Sequence, residues 1–120
     1  MATVVDDGAD RIWFADERGD IWITDPQGNL VLRRNLTGGT PISWISLSPD
    51  RGRLVTCGHE GLVQSWRTDT FEPMGQFASE SGLGFMHQSC SPDGRFVAAS
   101  CEDHRVYVWD LSTEELAQLG

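Results

Sequence analysis

Basic residues are scarce in this sequence, and long apolar runs are absent. The 120 residues carry 9 basic against 18 acidic side chains, which gives a net charge of −9. This balance disfavours nucleic acid and anionic membranes as partners, because both are polyanions, while a basic protein or peptide remains a suitable one. No apolar run approaches the roughly 18 residues of a membrane-spanning helix, and the first residues lack the basic start and apolar core of a signal peptide. We therefore expect a cytoplasmic protein.

Cysteine is also rare, with only Cys57, Cys90 and Cys101 in the chain. An odd number of thiols inside predicted strands of a cytoplasmic protein argues against a disulfide framework. We expect the three residues to be small buried thiols.

Two stretches of the chain align without a gap at an offset of 43 residues. Ser48-Pro49-Asp50 recurs as Ser91-Pro92-Asp93, and Trp66 recurs as Trp109. A weaker copy precedes them over residues 11–25. A period in the forties carried by short strands predicts a radially repeated β architecture, in which no unit can bury its own faces.

Each full repeat is predicted to contain four short strands. Turns rich in Pro, Gly and Asp separate the apolar stretches every 8–12 residues or so, which is typical of an all-β meander. The predicted strands are residues 2–5 at the start of the first repeat, then 41–47, 53–57, 62–66 and one ending near 77, then 85–90, 95–100, 105–109 and 115–119.

The third repeat resembles a WD40 repeat. Val106-Tyr107-Val108-Trp109-Asp110, preceded by Ser91-Pro92-Asp93-Gly94-Arg95-Phe96-Val97-Ala98, is close to the consensus of that family, and Trp66-Arg67 is its counterpart in the second repeat. Leu36-Thr37-Gly38-Gly39 is similar to the Leu-Thr-Gly-His that joins one blade to the next in the family. The resemblance implies an all-β fold of three four-stranded antiparallel propeller blades, over residues 1–39 (eroded), 40–82 and 83–120.

WD40 blades are typically held by a buried hydrogen-bond network of His, Ser or Thr, Asp and Trp. The resemblance implies that the matching residues here have this structural role: Thr56, Glu60 and Trp66 in the second blade, and Asp103 and Trp109 in the third. The network is incomplete, because Ala99 stands at the hydroxyl position of the third blade and the inter-blade His is missing. We expect Glu60 and Asp103 to accept hydrogen bonds from backbone N–H groups of their own turns.

Three blades are too few to close a ring, since propellers have at least four. We expect closure by association, with two copies giving six blades or three copies giving nine. Two alternatives stay open. The chain is a fragment of a longer propeller completed by other blades, or it is part of a propeller enzyme or ligand-binding ring assembled from several chains.

The residue pattern gives no support for catalysis, a cofactor or a metal site. The predicted inner strands carry no carboxylate, and His87 is their only titratable base, so acid–base chemistry lacks a partner group. Cys57 and His59 form a possible zinc pair with Cys101 and His104. However, equivalent turns of neighbouring blades lie roughly 10 Å apart, whereas all four zinc ligands must lie at about 2 Å from the metal.

The predicted binding surface is the face formed by the tight connections near Glu60 and Asp103 together with the starts of the inner strands. Trp44 and His87 occupy the same repeat position, on the channel side, and an exposed aromatic there is a suitable anchor for a partner. An alternative is that Trp44 packs against the neighbouring blade. The resemblance implies a protein-interaction scaffold, and the candidate partner-binding residues are Thr40, Ser43, Trp44, Met86 and His87.

Overall fold

A computed structural model of the chain describes the backbone of residues 4–6, 11–58, 60–112 and 115–119, and the side chains of 11–58 and 60–112. These residues form strands and turns without any helix, and so without one that could span a bilayer. The twelve strands are β1 (Val4–Asp6), β2 (Ile12–Ala15), β3 (Asp20–Thr24), β4 (Leu30–Asn35), β5 (Trp44–Leu47), β6 (Arg53–Cys57), β7 (Leu62–Arg67), β8 (Pro73–Ala78), β9 (Phe85–Cys90), β10 (Phe96–Cys101), β11 (Val106–Asp110) and β12 (Glu115–Leu119).

The strands form three antiparallel four-stranded sheets, each made of four consecutive strands. We call them blade 1 (β1–β4), blade 2 (β5–β8) and blade 3 (β9–β12). Each strand pairs with the next one along the chain, so every blade is a simple meander. The predicted all-β fold of three four-stranded antiparallel blades is confirmed.

The sequence repeat is also a structural repeat. Trp66 lies opposite Leu54 in blade 2, and Trp109 lies opposite Val97 in blade 3. Thr24 occupies the same register position in blade 1. The three sheets can therefore be compared position by position.

Several strand ends differ from the sequence-based prediction, most of them by one residue, as in β7, β10 and β11. The strand predicted at 41–47 begins only at Trp44. The N–H of Ile42 bonds to the carbonyl of Asp16 in the turn between β2 and β3 and not to β6, whereas the N–H of Ser43 still bonds to the carbonyl of Cys57. Asp6, predicted to lie in a turn, is the last residue of β1. Residues 2 and 3 of the predicted first strand lie outside the described residues.

Blade 2 is packed between the other two blades. In β6, Leu54 belongs to the core shared with blade 1, and Val55 belongs to the core shared with blade 3. Leu54, Val55, Thr56 and Cys57 are all at least 98% buried. This burial on both faces explains why β6 reads as a continuous apolar run rather than an alternating one.

Blades 1 and 3 each bury only one face. In β2 and β3 buried and half-buried residues alternate, and the half-buried set forms what we call the outer face of blade 1: Ile12, Phe14, Trp22 and Thr24. In β10 and β11 the same alternation leaves an outer face of blade 3: Ala98, Ser100, Val106 and Val108. Within the described part of the chain, no sheet packs on these two faces.

Candidate functional site

The inner strands β5 and β9 are tied together by polar side chains. The hydroxyl of Ser43 donates to the carbonyl of Phe85 (2.9 Å), and the hydroxyl of Ser46 donates to the side-chain oxygen of Gln88. The Gln88 amide in turn donates to the backbone carbonyl of Val55 at 2.8 Å. These contacts fix the two strands side by side and so position the residues that project from them.

Trp44 and His87 meet on these strands, as equivalent repeat positions should. Their rings stand edge to face with centroids 4.4 Å apart. His87 is exposed, whereas Trp44 is half-buried and packs partly on the core between blades 2 and 3. With Met86, which is 43% exposed, they form what we call the inner-strand surface. Trp44 therefore both packs against the blade junction and remains accessible.

The other two candidate binding residues are placed differently. Ser43 is half-buried, and its hydroxyl is used within the junction between blades 2 and 3. Thr40 lies half-buried in the connection before β5, where its carbonyl accepts the hydroxyl of Thr37 at 2.6 Å. Both residues border the inner-strand surface in the chain and, like Trp44, are less exposed than Met86 and His87.

A shallow cavity of about 380 Å³ opens beside the inner-strand surface. Trp44 and His87 line one part of it, and Ala98 and Val106 of the outer face of blade 3 line another. The inner-strand surface and that outer face are therefore continuous.

The predicted blade network is present in part. In blade 2 the indole N–H of Trp66 donates to the hydroxyl of Thr56 at 3.1 Å, and both residues are buried. In blade 3, Trp109 is 2% exposed and stands edge-on against Phe77, with ring centroids 4.9 Å apart. Glu60 is exposed, and the hydrogen bonds expected for it from its own turn stay a prediction, because His59 of that turn lies outside the described residues.

Asp103 is the centre of a polar contact between blades 2 and 3. Its carboxylate accepts hydrogen bonds from the hydroxyls of Tyr107 (2.8 Å) and Ser81 (2.9 Å) and from the backbone N–H of Arg105 (2.9 Å). Burial alone would raise the pKa of Asp103, but these hydrogen bonds favour the ionised form and hold the pKa below its usual range. The contact links blade 3 to the connection that follows β8.

Sequence reasoning missed Tyr107, Ser81 and Gln88 as members of these polar contacts. The repeat contained a signal for two of them. Tyr107 stands where blade 2 has Gln64, and Gln88 stands where blade 2 has the buried Ile45. At both positions the two repeats therefore carry side chains of different chemical type. A polar group at a core position of a repeat is a reason to look for a partner across the junction.

The three thiols are free; Cys57 and Cys101 are buried, and Cys90 is half-buried. Burial raises the pKa of Cys57 to about 12 and also raises the pKa of Cys90, so both stay protonated at neutral pH. Within the described residues, no three His, Cys, Asp or Glu side chains gather as metal ligands would. His59, one half of the zinc pair considered from the sequence, lies outside the described residues.

Comparison with known proteins gives the same architecture. The family model "WD domain, G-beta repeat" matches residues 73–110, from β8 to β11. The chain is 28% identical over 129 aligned residues to the WD repeat-containing protein 26 homolog of Arabidopsis thaliana, covering 95% of this chain and 22% of the relative. It is 23% identical to the target of rapamycin complex subunit wat1 of Schizosaccharomyces pombe, covering 92% of this chain and 35% of the relative. The chain thus spans about a fifth to a third of the lengths of these relatives.

A solved structure shares the arrangement of the three sheets. The β-propeller domain of Cps50 (Swd1) from Myceliophteria thermophila superposes with a TM-score of 0.84 at 18% identity, over 98% of this chain and 42% of that one. At this identity the likeness shows the fold alone, that of β-propeller blades.

Proposed function

Because the chain belongs to the WD40-repeat family of β-propeller proteins, we propose that it is a cytoplasmic protein-interaction scaffold that binds its partner at the inner-strand surface. Members of the family generally act as non-enzymatic scaffolds. The observation that carries the proposal is the group formed by exposed Met86 and His87 and half-buried Trp44 on two adjacent inner strands. Aromatic and thioether side chains supply most of the energy at protein interfaces, because they bury large apolar areas.

The partner is proposed to be basic. A net charge of −9 attracts a cationic protein or peptide over distances comparable to the Debye length, about 8 Å at physiological ionic strength. Association should therefore slow as salt is added. The same charge disfavours nucleic acid and anionic membranes.

Ring completion is the second part of the proposal, and it concerns the two outer faces. In the internal interface between blades 2 and 3, the small side chains of Val55 and Cys57 on β6 share one core with the rings of Tyr107 and Trp109, and Phe77 on β8 packs on the same rings. The outer face of blade 3 likewise carries small side chains, while the outer face of blade 1 carries the stacked rings of Phe14 and Trp22, 5.9 Å apart. The two outer faces of the same chain thus repeat the small-against-aromatic pairing of an interface already formed.

We propose that these faces meet between copies of the chain, blade 3 of one against blade 1 of the next. Two copies give six blades and three give nine, and the head-to-tail contact closes in both cases. The competing proposal is that further blades, from a longer chain or from another protein, cover the same faces. An enzyme assembled from several chains is a weaker proposal, because the inner strands β5 and β9 carry no carboxylate and Cys57 and Cys90 stay protonated.

The binding proposal can be tested with basic peptides selected on the wild-type protein from a random library. We expect a Trp44→Ala, His87→Ala double variant to lose most of their affinity while keeping its oligomeric mass. Met74→Ala is a suitable control, since Met74 is 39% exposed, similar to Met86, but lies on the outer strand of blade 2. Full affinity in the double variant would contradict the proposal. A change of oligomeric mass would show that Trp44 acts in blade packing.

A further inference from the structure

A cavity of about 150 Å³ lies in the junction between blades 1 and 2. It opens between the connection from β4 to β5 and the turn from β6 to β7, and Thr37, Thr56, Glu60 and Gln64 are among the residues that line it. Its volume corresponds to about five molecules of liquid water. This is enough room for the end of a long polar side chain.

The next junction is filled at the same place. There, Ser81 and Tyr107 both donate hydrogen bonds to Asp103, at 2.9 and 2.8 Å. The equivalent repeat positions in the first junction hold, in the same order, Gly38, Gln64 and Glu60.

The connections after β4 and β8 begin in the same way. The backbone N–H of Leu36 bonds to the carbonyl of Gly19 at 2.9 Å, and the N–H of Ser79, 43 positions later, bonds to the carbonyl of Gly61 at 2.8 Å. The two backbones then differ, since Gly38 has a φ of 72° whereas the φ of Ser81 is not positive. The cavity lies beside this part of the first connection, where the side chains also differ.

Each replacement removes atoms from the junction. Gly38 has no side chain, and no atom lies within 4 Å of the position its Cβ would take. Gln64 lacks the length of a tyrosine, and its amide bonds to Gln76 at 3.0 Å instead. Glu60 is left exposed at the cavity, with no hydrogen bond among the described residues.

We propose that this cavity receives a cationic side chain, arginine or lysine, from a bound partner, which pairs with Glu60. The inference rests on the proposed function, because the partner supplies the side chain. None of the described residues that line the cavity is basic, so no group of the lining itself supplies a countercharge to Glu60. A guanidinium suits the site better than an ammonium, since its N–H groups can bond to a carboxylate in a bidentate manner.

The cavity is also well placed for a partner at the inner-strand surface. Thr40 lines it, and only three residues separate Thr40 from Trp44 at the start of β5. A segment anchored on Trp44 can therefore reach Glu60 with one long side chain.

The test uses a blocked arginine, N-acetylarginine methylamide, as the probe and backbone amide NMR shifts of the full chain as the readout. We expect saturable shifts at Thr37, Gly58 and Gln64, which line the cavity, and none with the corresponding blocked glutamate. Glu60→Gln should weaken binding about tenfold or more, because it removes a charge-assisted hydrogen bond and leaves the size unchanged. Glu72→Gln, at an exposed carboxylate of the same blade, should change nothing.

A second variant tests the cavity itself. Gln64→Tyr introduces the side chain that fills the next junction, and should abolish binding although Glu60 is still present. The inference would be overturned if Gln64→Tyr or Glu60→Gln bound the probe as well as the wild type. It would also be overturned if the wild type showed no saturable shifts, or shifts only at Trp44 and His87. Selected peptides that depend on Trp44 but not on Glu60 would overturn it and leave the proposed function intact.

Discussion

The hydrogen bond between Trp66 and Thr56 offers a direct test of the blade network. Thr56→Val keeps the volume of the side chain but removes the acceptor, which lies 3.1 Å from the indole nitrogen. Thr56 is 2% exposed and Trp66 is 6% exposed, so water cannot readily replace the lost partner. A buried donor left unpaired costs about 1–3 kcal/mol of unfolding free energy.

A double-mutant cycle with Trp66→Phe separates this hydrogen bond from packing. On the Trp66→Phe background the indole N–H is gone, and Thr56→Val should then cost at least about 0.5 kcal/mol less than in the wild type. Urea unfolding at one fixed protein concentration gives the four free energies, with the concentration held constant because self-association would stabilise the fold. An equal cost of Thr56→Val on both backgrounds would refute the hydrogen-bond argument.

Three further predictions concern single residues, and thermal or urea unfolding measures each of them. Trp109→Ala should cost about 3–5 kcal/mol, since the ring is 2% exposed and packed on aromatic neighbours; a cost below 1 kcal/mol would contradict its place in the core. Gly61→Ala should be worse than Gly28→Ala, because both have positive φ but only at Gly61 would a Cβ fall 2.6 Å from another atom; equal costs would contradict the close approach. The hydrogen bond from Arg95 lowers the pKa of Asp110 below that of the unfolded chain, so its contribution to stability exists above about pH 4 and is lost as the pH falls further. Asp110→Asn should reduce the loss of unfolding free energy below about pH 4. An unchanged dependence of the unfolding free energy on pH in that range would contradict the role of Asp110.

The sequence predicted the blades well because their determinants are local and repeated. Turn residues such as Pro49 and Pro92 mark where strands end, and the spacing of Trp66 and Trp109 sets the period. The bounds of β6 follow from an apolar run between a turn and a glycine. The errors lie at strand ends, where a single backbone hydrogen bond determines whether a residue joins the ladder, as at Ile42.

The contacts between blades were harder to predict. Whether Glu60 or Asp103 finds a partner depends on side chains contributed by a different blade, so the same acidic position gives a filled contact in one junction and a cavity in the other. Trp44 shows the same limit, because its sequence position is compatible with packing and with exposure. The structure places it half-buried beside His87.

The central claim is that the two outer faces of the three-blade unit meet head to tail, and blocking each face separately tests it. Ile12→Arg blocks the outer face of blade 1, Val106→Arg blocks that of blade 3, and Met74→Arg on β8 is the control away from both faces. The measurement is solution mass by native mass spectrometry. The account predicts a dimer or trimer for the wild type and the control, a monomer for each blocked variant alone, and a dimer when the two blocked variants are mixed, because the mixture restores one intact interface. A monomeric wild type, or a mixture that stays monomeric, would contradict it.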